Sequence, residues 1–295
     1  MRANRILTIL LIVIASSTAV TWFIGDALSR PVPRVIGPTP SGLPGAASVS
    51  FPSDSGSLIH AWYAPGRPGR GSVVLAHARH GDRRGMLGRA EFLHAAGYSV
   101  LLFDAQAHGE SPGNQVTFGH LESHDAVAAV AFARKQDMES PVAFIGFSQG
   151  GAAALLGASP LPVSALVLEA VYPTLEDAVS NRIAMRLGTL GRWLTPLLLW
   201  QVEPRLGVRA QDLAPARGIG NITAPLLLVA GEQDRHTTLE QSEELFRAAP
   251  EPKSLWVVPG AAHVDFHRFA PREYEARILA FLERASPEPA AQIER

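Results

Sequence analysis

Short apolar runs alternate with longer amphipathic stretches along most of this chain. Strand-like runs occupy residues 48–51, 58–63, 72–76, 99–103, 142–145, 165–168, 225–229 and 254–258. Helix-like stretches occupy residues 86–96, 120–134, 150–156, 238–249 and 271–284. The middle runs are almost continuously apolar, which is typical of strands covered on both faces. The alternation predicts an α/β domain with a mainly parallel central sheet flanked by helices, and its first two runs predict an antiparallel start.

The longest interval between strand-like runs, residues 172–222, holds a candidate amphipathic helix at 175–187 and an apolar stretch at 193–200. An insertion of this kind over the carboxyl edge of the sheet would act as a short helical lid. We therefore assign residues 46–285 to the α/β domain, with the lid at about 172–222. The last residues, 286–295, contain proline and alanine and are predicted to be a disordered tail.

Residues 1–28 are predicted to lie outside this domain, because an apolar run extends from Ile6 to Ile24 and only Ser and Thr interrupt it. Its length is close to the ~20 residues of a membrane-spanning helix and exceeds the ~7–15 residues of a signal-peptide core. We expect a retained single-pass transmembrane anchor, with the domain on the extracytoplasmic side. The alternatives are a cleaved signal followed by secretion, a buried or interfacial helix, and a segment that mediates assembly. The proline-rich residues 29–45 predict a semi-rigid linker.

Composition narrows the function classes. The chain has 295 residues, of which 47% are hydrophobic, and a formal net charge of -1. That length suffices for a sizeable core, and the near-neutral charge argues against nucleic acid as a partner. There is no cysteine, which excludes a disulfide framework, a thiolate zinc site and a cysteine nucleophile.

The candidate nucleophile lies where the strand-like run 142–145 meets the motif G-x-S-x-G, formed by Gly146, Ser148 and Gly150. A run of small residues follows. This order is typical of a nucleophile elbow, a sharp strand-to-helix turn that exposes a serine hydroxyl. A Cβ atom at either glycine would crowd such a turn. Ser148 is therefore the candidate nucleophile, and the alternative is a serine in an ordinary glycine-rich turn.

A serine hydroxyl needs a base to take its proton, and the base needs a third group to orient it. In elbow hydrolases these partners follow the serine in the order Asp or Glu, then His. Asp234 follows a late strand-like run and is the candidate acid, with Glu232 and Glu169 as alternatives. His263 follows the last run and is the candidate base, with His236 as the alternative.

An oxyanion hole must supply two donors to the attacked carbonyl oxygen. One candidate is the backbone N–H of Gln149, directly after the nucleophile. The other is the backbone N–H of Arg79, in the loop 77–81 after the third strand-like run. His77 and His80 of that loop are interpreted as scaffold. The guanidinium of Arg79, at the mouth of the pocket, would favour an anionic substrate.

Further motifs accompany these residues. They are Val73-Val74-Leu75-Ala76-His77 with Gly81, Gly97-Tyr98, Asp104 with His108-Gly109-Glu110-Ser111, and Gly119 with Glu122 and Asp125. From about Ser72 to Leu282, the chain resembles the α/β-hydrolase superfamily, most closely its small esterase- and prolyl-oligopeptidase-like branch, whose members can carry an N-terminal anchor. It departs from the family pattern at Ala78, where a glycine is usual, and at Gln106-Ala107, where Arg-Gly is usual.

The resemblance implies a serine hydrolase with a Ser148–His263–Asp234 triad, an acyl-enzyme intermediate and no metal or organic cofactor. We expect a membrane-tethered carboxylesterase or lipase-like enzyme acting on small or lipid-like acyl substrates. A peptidase or amidase and an acyltransferase are alternatives with the same triad. A non-catalytic scaffold that binds a ligand or partner is the alternative from a different class. The sequence leaves the oligomeric state open.

Overall fold

Eight strands pair into one mixed sheet in the computed structural model, which describes residues 2–285. The strands are β1 (Ala47–Pro52), β2 (Leu58–Ala64), β3 (Ser72–Ala76), β4 (Ser99–Phe103), β5 (Val142–Phe147), β6 (Ala165–Glu169), β7 (Leu226–Gly231) and β8 (Lys253–Val258). Their order across the sheet is β8-β7-β6-β5-β3-β4-β2-β1. The pairs β1–β2 and β2–β4 are antiparallel, and the other neighbours are parallel.

Helices cover both faces and the carboxyl edge of this sheet. They are α1 (Arg2–Ser29), α2 (Leu87–Ala95), α3 (His120–Gln136), α4 (Gln149–Leu155), α5 (Leu175–Leu187), α6 (Thr195–Leu199), α7 (Val202–Leu206), α8 (Pro215–Gly218), α9 (Leu239–Ala248), α10 (Phe266–Phe269) and α11 (Pro271–Ala285). Short 3-10 helices lie at Arg83–Met86, Thr189–Leu194, Ala210–Asp212 and Ile219–Asn221. The α/β architecture with a mainly parallel sheet confirms the predicted fold class.

The sheet separates two hydrophobic cores. Successive residues of β3 alternate between them: Val73 and Leu75 belong to one core, and Val74 and Ala76 to the other. All four side chains are buried, because helices cover both faces, and this explains why the parallel strands read as uninterrupted apolar runs. The five helices between strands and at the end of the domain begin and end within two residues of the predicted limits.

Buried polar groups fix the loop after β4. The carboxylate of Asp104 accepts hydrogen bonds from the backbone N–H of Arg83 (2.7 Å), from Arg83 Nη1 (2.9 Å) and from the backbone N–H of Glu110 (2.9 Å). Burial raises the pKa of Asp104 above its usual value. In the same loop Ala107 has a φ of 59°, a left-handed conformation in which glycine costs less. The Asp104 motif therefore serves as scaffold.

The N-terminal segment differs most from its prediction. Among residues 2–285, no helix is both long enough and apolar enough to span a membrane, which contradicts the predicted single-pass location. The last turns of α1 instead contact protein. The carbonyl oxygen of Thr21 accepts a hydrogen bond from Gln201 Nε2 (2.8 Å), and the rings of Trp22 and Trp200 lie 5.9 Å apart.

The proline-rich residues after α1 also contact the domain. Val32–Pro33 pairs in parallel with His108–Gly109 as a two-residue strand. The backbone N–H of Val32 donates to the carbonyl of Ala107 (2.7 Å), and the guanidinium of Arg34 lies 3.6 Å from the carboxylate of Asp82. The segment predicted to be a linker therefore holds the end of α1 against the loop after β4. The predicted tail, residues 286–295, lies outside the described residues.

A buried ion pair connects α2 with the end of β6. Arg89 Nη2 lies 2.5 Å from Glu169 Oε2, and Arg89 Nη1 lies 2.8 Å from the carboxylate of Asp265. The hydroxyl of Tyr274 donates to Glu169 Oε1. Arg89, Glu169 and Tyr274 are at most 1% exposed. Removing one member of such a group leaves an uncompensated charge in the core.

We expect Arg89→Ala to lower the free energy of unfolding by about 3–5 kcal/mol, because Glu169 would lose its buried cation. Urea denaturation followed by circular dichroism measures the change. The matched control is Arg209→Ala, which removes an ion pair with Asp212 at the protein surface and should have a much smaller effect. Equal losses for the two variants would contradict a stabilising role for the buried pair.

Candidate active site

The nucleophile elbow has the geometry that its sequence predicts. Ser148 connects β5 to α4 with φ 52° and ψ −113°, a backbone conformation that is rare for residues other than glycine. Its N–H donates to the carbonyl oxygen of Glu169 (2.8 Å). A Cβ added to Gly146 would lie 2.6 Å from Gly151 Cα, and one added to Gly150 would lie 2.5 Å from the carbonyl oxygen of Ala76. The elbow therefore requires glycine on both sides of the serine.

The structure brings Ser148, His263 and Asp234 together. His263 Nε2 lies 3.2 Å from Ser148 Oγ, and His263 Nδ1 lies 2.7 Å from Asp234 Oδ2. The other oxygen of Asp234 accepts backbone N–H groups of His236 (2.7 Å) and Thr237 (3.0 Å). Asp234 thus orients the imidazole and caps its own turn at the same time. This is the arrangement of a nucleophile, a base and an orienting acid.

The alternative acids and the alternative base hold other positions. The carboxylate of Glu169 is bound by Arg89 and Tyr274, and Glu232 Oε2 accepts the backbone N–H of Gly260 (2.7 Å). His236 stacks on His263 with ring centroids 4.9 Å apart. The ring of Phe147 also contacts His263, since the centroids of these two rings lie 5.4 Å apart. The rings of His236 and Phe147 restrict the orientation of His263.

The predicted oxyanion donors lie at the same pocket. Gln149 is the first residue of α4, and the N–H groups of a helix's first turn have no partner within the helix. Arg79 lines the pocket that contains Ser148 and Gln149. His77 is buried scaffold, as predicted: its Nδ1 donates to the carbonyl of Ala78 (2.8 Å), and its Nε2 accepts the N–H of Ala105 (3.1 Å). Ala78 itself is outside the left-handed region, so its loop does not need glycine there.

The pocket over Ser148 lies between the sheet edge, α1 and the lid segment, residues 172–222. Apolar side chains dominate its wall, among them Leu28 of α1, Phe118, and Leu175 and Val179 of α5. This combination of a large apolar wall and a few polar groups is typical of sites that bind small molecules.

Two contributors to the pocket were missed by sequence reasoning. One is the end of α1, whose Gly25, Leu28 and Ser29 line the pocket. The other is Arg182 of α5, which lines the same pocket as Arg79. An arginine on an amphipathic helix reads as a solvent-facing residue, so the sequence carried no signal for Arg182. The apolar pattern of α1 does not specify the surface that it contacts.

Comparison with known proteins identifies the family. The family model described as serine aminopeptidase, S33, matches residues 67–214. The Mycobacterium tuberculosis protein Rv2307c is 32% identical over 272 residues, which cover 88% of this chain and 89% of that protein. The chain belongs to the serine aminopeptidase S33 family. It is therefore a hydrolase of the α/β-hydrolase superfamily.

Two proteins similar to this S33 hydrolase are named as an esterase and a lipase. The esterase Pf2001 of Pyrococcus furiosus superposes with a TM-score of 0.72 at 26% identity, covering 87% of this chain and 98% of that one. A monoacylglycerol lipase of Mycolicibacterium smegmatis is 28% identical over 246 residues, which cover 71% of this chain and 87% of that protein. Both likenesses extend over most of the α/β domain.

We expect Gly150→Ala to lower the free energy of unfolding by about 1–3 kcal/mol, because the new Cβ would overlap backbone atoms of β3 and its loop. Displacement of the elbow by about 1 Å should also lower any hydrolytic rate about 10²-fold. Thermal unfolding and ester hydrolysis measure the two effects. The control is Gly85→Ala, where the added Cβ meets no described atom within 4 Å. Equal behaviour of the two variants would contradict the close contact at the elbow.

Proposed function

We propose that this hydrolase is a serine carboxylesterase in which Ser148 attacks the carbonyl carbon of an acyl ester. The observation that carries the proposal is the continuous chain of contacts from Ser148 Oγ to His263 to Asp234, 3.2 Å and 2.7 Å long. Each member comes from the carboxyl end of a different strand. The contacts therefore depend on the assembled sheet and not on local sequence.

The mechanism follows from these contacts. His263 Nε2 takes the proton of Ser148 Oγ as the oxygen attacks, and Asp234 stabilises the resulting imidazolium. The backbone N–H groups of Gln149 and Arg79 bind the oxyanion. His263 then protonates the departing alcohol. A water molecule, deprotonated by His263, attacks the acyl-enzyme, and His263 returns that proton to Ser148 Oγ as the acid is released. Every proton in this sequence is carried by a residue of the chain, and no cofactor is invoked.

Two observations favour esters over peptides. The named relatives include an esterase and a monoacylglycerol lipase. The pocket, in addition, places two arginines, Arg79 and Arg182, near the nucleophile. An aminopeptidase must accept a protonated amino group beside the scissile bond, and these cations would repel it. The family's description as aminopeptidases keeps peptide or amide hydrolysis as the second candidate function.

We expect Ser148→Ala to abolish covalent labelling by a fluorophosphonate probe and to lower hydrolysis of 4-nitrophenyl esters at least 10³-fold, because the nucleophile is lost. Gel fluorescence and absorbance assays measure the two effects. The matched control is Ser123→Ala, which removes another buried serine hydroxyl, on α3. Labelling that survives in Ser148→Ala, or wild-type protein that does not label, would favour a non-catalytic scaffold.

A second experiment separates esterase from peptidase. We expect 4-nitrophenyl butyrate and octanoate to be hydrolysed with kcat/KM values at least 10²-fold above those of alanine and leucine 4-nitroanilides, because the pocket wall is apolar and its charges are positive. The esters release 4-nitrophenol and the anilides release 4-nitroaniline, and absorbance measures both once each product is calibrated with its own extinction coefficient. The reverse order of kcat/KM would establish the aminopeptidase function instead.

A further inference from the structure

Two half-buried arginines from different elements line the pocket of Ser148. Arg79 belongs to the loop after β3, and Arg182 belongs to α5. No carboxylate of residues 2–285 lies within 4.0 Å of either guanidinium. Because burial of a charge is costly unless a partner compensates it, the lack of an acidic partner for either one needs an explanation.

The hydrogen bonds of the two guanidinia leave most of their donors unused. Arg79 Nη1 donates to the carbonyl oxygen of Leu28 (2.9 Å), and Arg182 Nη1 donates to that of Ala178 (2.8 Å). A guanidinium carries five N–H donors, and within residues 2–285 each group makes only this one hydrogen bond. Both side chains line the pocket that contains Ser148, so the remaining donors are available to a ligand there.

Other buried arginines of the chain are paired. Arg205, which lines the same pocket, lies 3.3 Å from the carboxylate of Asp26. Arg83 and Arg89 each contact two carboxylates. Among the buried and half-buried arginines of residues 2–285, Arg79 and Arg182 therefore differ from the others in having no carboxylate within 4.0 Å.

The groups that face the pair do not neutralise it. Burial and the charge of Arg182 lower the pKa of Arg79 to about 10, and burial lowers the pKa of Arg182. The hydroxyl of Tyr172 donates to the carbonyl of Phe118 (2.9 Å), and burial raises its pKa. The Asp234 carboxylate is already bound to His263 and to two backbone N–H groups. The pocket therefore carries excess positive charge at neutral pH.

We propose that Arg79 and Arg182 bind an anionic group of the substrate, a carboxylate or a phosphate, while Ser148 attacks an ester bond elsewhere in the same molecule. The identification of the bond as an ester rests on the proposed function. The wall of the pocket that holds Ser148 and both arginines includes Leu175 and Val179, so an apolar chain should connect the anion to the ester. The substrate class is thus an amphiphilic ester with a terminal anion.

The kinetic test compares two esters of equal chain length, mono-4-nitrophenyl adipate, which ends in a carboxylate, and 4-nitrophenyl hexanoate, which does not. We expect the wild type to prefer the adipate monoester. In Arg182→Gln and in Arg79→Gln the ratio of the two kcat/KM values should fall about tenfold or more, because a charge-assisted hydrogen bond is lost. The ratio is measured within one protein, so a change in the amount of folded enzyme does not affect it.

The matched control is Arg272→Gln, which removes an exposed arginine of α11, away from the pocket, and should keep the wild-type ratio. Ratios that stay within about twofold of the wild type in both Arg79→Gln and Arg182→Gln would overturn the inference while leaving the esterase proposal in place. A wild type that hydrolyses neither ester would overturn the proposed function.

Calorimetric titration gives a second measurement that does not depend on hydrolysis. Hexanoate, hexyl phosphate and the neutral hexanamide are titrated into the wild type and Arg182→Gln. At least one anion should bind the wild type about tenfold more tightly than hexanamide, and Arg182→Gln should lose that preference. The tighter of the two anions identifies the carboxylate or the phosphate as the group recognised. Equal binding of all three compounds would overturn the anion site.

Discussion

The backbone conformation of Ser148 is the constraint on which the rest of this structure depends. A residue with a side chain is held at φ 52°, at a cost of about 1–3 kcal/mol that surrounding contacts must offset. Those contacts come from two other strands: Ser148 N–H binds the carbonyl of Glu169 at the end of β6, and Gly150 packs against the backbone of Ala76 and the residue after it. The elbow therefore forms only when β3, β5 and β6 have their native spacing.

Glu169 connects the candidate nucleophile, Ser148, to the candidate base, His263. Its backbone carbonyl holds the elbow, while its side chain binds Arg89, which also reaches Asp265, two residues beyond His263. The buried pair of Arg89 and Glu169 therefore contacts both the turn that carries Ser148 and the loop that carries His263. These contacts help to position the two atoms of the Ser148 Oγ–His263 Nε2 pair. From the sequence, Glu169 at the end of β6 is an alternative candidate for the acid of the triad. In the folded chain it instead holds the turn of Ser148 through its backbone and Arg89 through its side chain.

The sequence predicts the sheet well and the pocket poorly, for physical reasons. Parallel strands are buried on both faces, so their apolar runs show where they begin and end, and Asp234 and His263 could be placed by their position after such runs. The contacts of α1 and Arg182 depend on long-range packing. An apolar helix has the same pattern whether lipid or protein covers it, and a polar residue on α5 has the same pattern whether it faces water or a closed pocket.

The proposed reaction takes place at the edge of the sheet, whereas the proposed selection of substrate depends mainly on the elements that cover that edge. Backbone geometry at the sheet edge fixes the contacts among Ser148, His263 and Asp234 and the proposed oxyanion donors, whereas side chains of α1, α5 and the loop after β3 form the pocket wall. Arg79 belongs to both parts: its backbone N–H is the proposed oxyanion donor, and its guanidinium binds the carbonyl of Leu28 at the carboxyl end of α1. The partial negative charge of a helix carboxyl end orients a cation without neutralising it. The contact with α1 therefore holds this guanidinium in place, and its charge remains available to a substrate anion.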